Sequence, residues 1–195
     1  VPAELLQQPI LRLKPWALLV DDETVFTIAQ HNAKVTRQRQ MQALEQLELL
    51  KTKGAAAALT TTAADGHSSS QLQATRHLDL SGATEITDES LAFLATTCST
   101  LEGLVLAGCA QLTDASLRAI CLASPQLRCL NINGIGAGTG QTSIVGKHNR
   151  NSNYYSAPLS GAAMEALAHH CPELLELHLK KCNWLQSWML QRVSL

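Results

Sequence analysis

Leucines recur along this chain at a fixed interval, and this interval constrains the fold more than any other feature of the sequence. The apolar pairs that carry the repeat are Leu78/Leu80, Leu104/Leu106, Leu130/Ile132 and Leu177/Leu179. The first three pairs lie 26 residues apart, and the fourth follows the third by 47 residues, which is one period plus 21 further residues. A fixed period in this range indicates a structural unit that recurs along the chain.

A second motif follows the apolar pairs at the same interval. It consists of an apolar residue, a Thr or Ser, an Asp or Gly, and a further apolar residue three positions later. The copies are Ile86-Thr87-Asp88-Glu89-Ser90-Leu91, Leu112-Thr113-Asp114-Ala115-Ser116-Leu117 and Leu159-Ser160-Gly161-Ala162-Ala163-Met164, with a weaker copy that begins at Leu185. Both motifs therefore place the 21 extra residues between Ile132 and Leu159.

Together the two motifs predict a unit of one short strand, a turn and a helix. The alternation of apolar and other residues indicates a strand, and the Thr or Ser can accept a hydrogen bond from an unpaired N–H at the helix start. Apolar residues three positions apart, such as Leu91 and Leu94, lie on one helix face. One unit cannot bury its apolar side alone, so we expect the units to stack against one another.

The clearest copy of the whole unit resembles a known repeat. It reads Leu101-x-x-Leu104-x-Leu106-x-x-Cys109 and continues as Leu112-Thr113-Asp114-x-x-Leu117. This pattern is similar to the cysteine-containing class of leucine-rich repeats, which is typical of F-box/LRR proteins and their relatives. The resemblance covers residues 71–195 and has departures, namely Thr75 for Leu, Ala83 and Ile135 for Cys, and Gly161 and Ser187 for Asp.

The resemblance implies an α/β fold, a short leucine-rich-repeat solenoid of about four 26-residue strand–helix repeats preceded by a long helix. We divide the chain into an N-terminal segment of extended chain and short helix (1–20), a long helix (21–53), a flexible Ala/Thr/Ser linker (54–70) and the repeat domain (71–195). An insertion at about 134–155 interrupts the third repeat. The linker is expected to be flexible because small polar residues cannot bury enough surface to order it.

The N-terminal segment carries a second, weaker resemblance. Pro2-Ala3-Glu4-Leu5-Leu6 is similar to the opening of an F-box. Pro9 and Pro15 then interrupt the region where an F-box has continuous helix, because proline lacks a backbone donor and clashes with the preceding turn. We therefore interpret the segment as a degenerate F-box-like region, in which residues 2–19 would contact a Skp-type adaptor if the box were functional.

The long helix has two interpretations that the sequence leaves open. Acidic residues at positions 21–23 and lysines at positions 51 and 53 both suit the helix dipole, and no Gly or Pro occurs between them. Apolar residues form an incomplete stripe at helical spacing. The helix either packs against a partner protein or folds back on the repeats as an N-terminal cap.

No catalytic, cofactor or metal site is expected. The metal-capable residues His169, His170, Cys171, His178 and Cys182 do not converge, because the repeat phase directs both cysteines inward and His178 outward. Glycines at 134, 136, 138 and 140 do not have the spacing of a nucleotide-binding loop. The six cysteines are expected to be reduced and, apart from Cys129 beside Leu130, to serve as small buried side chains.

Two groups of residues are candidates for contact with other proteins. The concave strand face presents His77, Asp79, Ser81, Val105, Asn131, Asn133, Glu176, His178 and Lys180. The insertion presents Lys147, His148, Arg150, Tyr154 and Tyr155, among which Arg and Tyr are favoured in binding hot spots.

Charge and hydropathy narrow the choice of partner. Lys and Arg number 15 against 16 Asp and Glu, so the chain lacks the basic excess that nucleic-acid binding requires. No apolar run approaches the length of a membrane-spanning helix, so we expect no membrane partner. We expect a cytoplasmic location, with association with the cytoskeleton as one variant. The chain begins with Val1, which suggests a trimmed product, and its last repeat lacks a polar cap, so a partner or further chain is expected to cover that end.

We therefore interpret the chain as a non-enzymatic protein–protein interaction module, a structural or adaptor subunit of a multi-subunit assembly. Relatives of the resembled family also serve as static subunits of cytoskeletal assemblies such as the axonemal nexin–dynein regulatory complex, which makes a cytoskeletal or axonemal role one variant. The alternative that the resemblance implies is a substrate receptor of a cullin ubiquitin ligase.

Overall fold

The computed structural model describes residues 3–6, 8–53, 74–135 and 159–191. Within these residues the chain forms a five-stranded parallel sheet whose strands lie in chain order. The strands are β1 (Ile10–Arg12), β2 (His77–Asp79), β3 (Gly103–Val105), β4 (Cys129–Asn131) and β5 (Glu176–His178). The central residues of these strands are successive register partners, in the order Leu11, Leu78, Leu104, Leu130 and Leu177.

The helices follow the same order as the strands. They are α1 (Ala3–Leu6), α2 (Asp22–Lys53), α3 (Asp88–Thr97), α4 (Asp114–Ala123), α5 (Gly161–His170) and α6 (Ser187–Leu190), with a 3-10 helix at Lys14–Leu19. Helices α2 to α5 each pack on the next helix in the chain. Within the described residues, no helix combines the length and the apolarity that crossing a membrane requires.

The turn after each of the last four strands contains a residue in the left-handed region. These residues are Gly82, Gly108, Gly134 and Lys181. Glycine adopts this conformation without steric cost because it has no Cβ, whereas Lys181 takes it with φ at 62°. The turn therefore recurs with the same period as the leucines.

An aspartate at the start of one helix binds the residue before the start of the next. The three pairs are Asp22–Thr87, Asp88–Thr113 and Asp114–Ser160, which we call the Asp–Thr/Ser pairs. In each pair the carboxylate accepts the partner's backbone N–H at 2.8–2.9 Å and also its hydroxyl. In the Thr87-Asp88 and Thr113-Asp114 copies of the motif, the threonine binds the aspartate of the preceding helix, and the aspartate binds the Thr or Ser before the following helix. Each of these copies thus links two consecutive helices.

The series of pairs ends at α5, which begins with Gly161. A Cβ at this position would lie 2.8 Å from Cη2 of Trp188, so glycine makes room for the indole of the following unit. Where the motif has glycine in place of aspartate, α5 therefore contacts α6 through the indole of Trp188.

The core is one continuous cluster that runs through the sheet and the helices. It includes the central leucines Leu11, Leu78, Leu104 and Leu130, each at most 1% exposed. The first half of α2 belongs to this cluster through Val25, Ile28 and Ala29. In contrast, every side chain from position 37 to position 48 of α2 is exposed.

The predicted α/β class and the long N-terminal helix are confirmed. The number of strands differs from the expectation of about four, because residues 10–12 form a strand that pairs with β2. The N-terminal segment thus starts the sheet that continues into the repeat units. The linker 54–70, the insertion at 134–155 and the last four residues of the chain lie outside the described residues, so the predictions made for them remain predictions.

Candidate functional site

One surface of the molecule is formed by strand residues on either side of the central leucines. We call it the open face, and in β2 to β5 it consists of His77, Asp79, Gly103, Val105, Cys129, Asn131, Glu176 and His178. The predicted contact residues Ser81, Asn133 and Lys180 follow in the adjoining turns. His77, Glu176, His178 and Lys180 are exposed, whereas the other predicted residues of this group are half-buried. The structure therefore brings the predicted concave-face residues onto one surface.

Several polar side chains of this surface shape the turns. Asp79 Oδ1 accepts the backbone N–H of Ser81 at 3.0 Å and also its hydroxyl. Asn131 Oδ1 accepts the N–H of Asn133 at 3.1 Å, and Asn133 Oδ1 accepts the N–H of Lys180 at 2.5 Å. Asp79 and Asn131 thus stabilise their own turns and Asn133 joins its turn to the next one, so a substitution there would alter the turns as well as any contact with a partner.

The N-terminal part of the open face is arranged around Gly103. A Cβ at this position would lie 2.2 Å from Nδ1 of His77, so the imidazole occupies the space above the glycine. Nε2 of His77 lies 3.8 Å from Oε2 of Glu102, and Arg76 forms an ion pair with the same carboxylate. His77 is thus held over β3 in an exposed position.

At the other end of the open face, three metal-capable side chains come together. Cys129 Sγ lies 3.6 Å from Glu176 Oε2, and His178 Nε2 lies 3.8 Å from the same oxygen. One ligand atom from each of the three residues lies within 4.8 Å of the others. Burial, and then the neighbouring Glu176 carboxylate, raise the pKa of the Cys129 thiol, so the thiol is protonated at neutral pH.

The remaining cysteines are buried, as predicted, and all six are free thiols. Burial raises the pKa of Cys98 to about 11 and that of Cys109 to about 12. Cys109 and Cys182 each donate a hydrogen bond at 3.2 Å to a carbonyl of an earlier unit. A nucleophilic cysteine requires both a lowered pKa and exposure, so Cys98 and Cys109, which have neither, have packing and hydrogen-bonding roles.

Two apolar surfaces are exposed; the sequence analysis singled out the apolar stripe of the long helix but not the patch that begins at Trp16. The outer stripe on α2 consists of Met41, Leu44 and Leu47, and the N-terminal patch consists of Trp16, Leu18 and Leu19. The outer stripe has helical spacing in the sequence, but the spacing does not tell which half of α2 is covered. The predicted insertion residues Lys147, His148, Arg150, Tyr154 and Tyr155 lie outside the described residues.

No protein-family model and no curated protein matches the sequence. Among solved structures, the chain is similar to one described as the crystal structure of the Rad7 and Elc1 complex in yeast. The TM-score is 0.44 at 22% sequence identity, and the match covers 60% of this chain and 24% of that chain. The present chain thus corresponds to about a quarter of that protein, and a likeness this weak carries no argument about function.

Proposed function

We propose that this chain is a non-enzymatic protein–protein interaction module, a structural or adaptor subunit of a larger assembly. In this proposal its strand–helix units form a short leucine-rich-repeat arc of the F-box/LRR type. The observation that carries the proposal is the outer half of α2, which leaves a row of large apolar side chains exposed.

Helix α2 has 32 residues, which corresponds to about 48 Å at 1.5 Å per residue. Its first half packs on α3, whereas Met41, Leu44 and Leu47 of the outer stripe are 65%, 62% and 52% exposed. These residues are three positions apart and therefore lie along one side of the helix. An apolar stripe of this kind suits a groove on another protein, in which the helix would bury it.

The open face supports the same role through its composition. It combines two histidines, a glutamate, an aspartate, an asparagine and small or apolar residues. Its formal charges are the carboxylates of Asp79 and Glu176, and no Lys or Arg is among these eight residues, which favours a protein partner over a polyanion. Under the proposal, the outer stripe and the open face contact other subunits of the same assembly.

The first experiment compares two triple variants of the tagged full chain in native cells. Met41→Gln, Leu44→Gln and Leu47→Gln remove the outer stripe, whereas Arg39→Ala, Gln42→Ala and Glu45→Ala change exposed polar residues of the same half-helix. We expect the control to retain the stoichiometric partners of the wild type and the stripe variant to lose at least one of them. If both variants retain every partner, the outer stripe is not an interaction surface.

The alternative function, a cullin-ligase substrate receptor, has support from the N-terminal patch. Leu18 and Leu19 are 84% and 77% exposed and adjoin the half-exposed Trp16. However, strand β1 lies where the F-box resemblance implies continuous helix. Co-expression with a Skp-type adaptor tests this alternative, which requires a complex that Leu18→Gln with Leu19→Gln disrupts. The cytoskeletal or axonemal variant predicts that tubulin-associated subunits are recovered instead.

A further inference from the structure

We propose that Cys129, Glu176 and His178 form a binding site for one Zn²⁺ ion on the open face. The residues lie on two adjacent strands, and the paired positions Cys129 and Glu176 are 47 residues apart in sequence, which is one period plus the 21 extra residues. This site differs from the histidine–cysteine group that the sequence suggested, since only His178 is common to both. It also departs from the expectation that the chain binds no metal.

The distances between the candidate ligand atoms suit a tetrahedral zinc site. Zinc binds sulfur at about 2.3 Å and nitrogen or oxygen at about 2.0–2.2 Å, so neighbouring ligand atoms around it lie about 3.3–3.7 Å apart. The observed separations from Glu176 Oε2 are 3.6 Å to Cys129 Sγ and 3.8 Å to His178 Nε2. The third separation, between the ligand atoms of Cys129 and His178, is at most 4.8 Å, so these two side chains would rotate toward each other to hold one ion.

The backbone under these side chains is fixed by the parallel sheet. Cys129 and Glu176 are register partners, and His178 follows Glu176 by two positions, which puts it on the same face of β5. The N–H of Glu176 donates to the carbonyl of Arg128 at 2.9 Å, and the N–H of Ile132 donates to the carbonyl of His178 at 3.1 Å. The ligands thus project from a hydrogen-bonded framework, in contrast to ligands on loops.

The donor set selects zinc over the common hard cations. A thiolate and an imidazole are ligands of zinc and related transition metals, whereas calcium and magnesium prefer oxygen ligands. Zinc binding displaces the proton of the Cys129 thiol to solvent, and the resulting thiolate and the Glu176 carboxylate supply two negative charges, which balance the charge of the ion. Three protein ligands leave the fourth position of the tetrahedron to water. Glu176 and His178 are exposed, so an ion reaches the site without any change of fold.

The test uses the full chain, purified with its thiols reduced and freed of metal, and Co²⁺ as a spectroscopic probe for zinc. Cobalt bound to a thiolate gives a sulfur-to-metal charge-transfer band, and Zn²⁺ removes this band when it displaces the cobalt. We expect one Co²⁺ per chain with the band, loss of the band in Cys129→Ser, and binding weakened at least about tenfold in His178→Gln and Glu176→Gln.

The matched control is His77→Gln, which removes an exposed histidine of the open face that lies outside the cluster. It is expected to bind Co²⁺ and Zn²⁺ as the wild type does. Zinc should also raise the melting temperature of the wild type and of this control, but not that of His178→Gln. Circular dichroism without metal checks that each variant folds, and His178→Gln, an exposed position, serves if Cys129→Ser does not fold.

The proposal is overturned if the wild type shows no charge-transfer band or binds no more metal than the Cys129→Ser/His178→Gln double variant. A band that survives in Cys129→Ser would place the ion at another thiol and contradict it equally. Unchanged affinity in both His178→Gln and Glu176→Gln would have the same consequence. The zinc site does not depend on the proposed interaction role, because metal binding by the isolated chain requires no partner.

Discussion

The two halves of helix α2 share one continuous backbone but have different surroundings. Val25 and Ile28 of the inner half are fully buried, whereas Leu44 and Leu47 of the outer half are exposed. Both halves have apolar residues at helical spacing, so the sequence pattern does not distinguish them. The inner half is buried because α3 lies against it, and α3 ends at Thr97, so its ten residues cannot cover a helix of 32.

The inner half is also held to the rest of the fold by polar contacts. Asn32 is fully buried, accepts the N–H of Thr75 at 2.9 Å and donates to Cys98 Sγ at 2.9 Å. Asp22 adds the first of the Asp–Thr/Ser pairs. The two interpretations that the sequence left open therefore apply to different parts of one helix: the inner half folds back and covers α3, and we propose that the outer half contacts a partner.

The largest expected difference between the halves is in their contribution to stability. Ile28→Ala should lower the free energy of unfolding by about 2–5 kcal/mol, because it opens a cavity in a packed core. Leu44→Ala, at an exposed position, should change it by less than about 0.5 kcal/mol. Urea denaturation of both variants measures the contrast. Equal destabilisation by the two substitutions would contradict the described packing of α2.

The buried amide of Asn32 is expected to have the next largest effect. Asn32→Ala leaves the N–H of Thr75 without its acceptor, which should lower the free energy of unfolding by roughly 1–3 kcal/mol. Gln38→Ala provides the control, since it removes an exposed amide from the outer half. If Gln38→Ala lowers the free energy of unfolding as much as Asn32→Ala does, the contact of the Asn32 amide with Thr75 is not the cause of the loss.

The first Asp–Thr/Ser pair should contribute somewhat less, because it is only partly buried. Asp22→Ala removes the acceptor of both the Thr87 N–H and the Thr87 hydroxyl, and we expect a loss of about 1–2 kcal/mol. Glu45→Ala in the exposed half is the matched removal of a carboxylate. Thermal unfolding measures the loss of stability in both variants. If Asp22→Ala and Glu45→Ala lose the same amount, the Asp22–Thr87 pair does not stabilise the fold.

The smallest expected effect is a pH dependence at the start of α2. Hydrogen bonds from Thr24 lower the pKa of Asp21 below its ordinary value of 3.8. A carboxyl whose folded pKa is lowered stabilises the fold above its unfolded pKa, and this stabilisation is lost as the pH falls through the folded value. Asp21→Asn should therefore flatten the acid limb of the stability curve slightly, since the exposed carboxylate is screened by water. If Asp21→Asn has the same acid limb as the wild type, the Asp21 carboxylate does not contribute to stability in this way.

The alignment of the sheet was predictable because each central leucine is accompanied by a second motif with the same period. Leu78, Leu104 and Leu130 are register partners as their spacing indicates, and α3 and α4 begin at the aspartates of the second motif. The alternation fixes which side chain turns inward, and the Thr–Asp step fixes where the helix starts. Because the strand motif and the helix-start motif recur with the same period, they together determine the order and register of the strands.

Strand β1 escaped prediction although its local signals are present. Leu11 and Leu13 alternate like the repeat pairs, and Val20-Asp21-Asp22 follows the second motif except that Asp21 replaces the Thr or Ser. However, Leu11 precedes Leu78 by 67 residues, because the long α2 and the residues after it intervene. A search for a fixed period does not find a unit whose helix is three times the usual length.

The cluster of Cys129, Glu176 and His178 escaped prediction for a different reason. A zinc motif is recognised by short spacings, but these ligands converge through pairing of strands whose residues are 47 positions apart. The repeat alignment did place Cys129 and Glu176 at equivalent strand positions. This equivalent placement was the available signal in the sequence. It indicates a contact between the two side chains only once the neighbouring strands are known to pair in register.

The central claim is that the periodic leucines form one row of register partners across a parallel sheet. Methyl-labelled NMR spectroscopy tests it most directly, since neighbouring strands lie only about 4.8 Å apart. We predict nuclear Overhauser contacts between Leu78 and Leu104 and between Leu104 and Leu130, with none between Leu78 and Leu130. Direct contacts between Leu78 and Leu130, or no contacts from Leu104 to either leucine, would contradict the account.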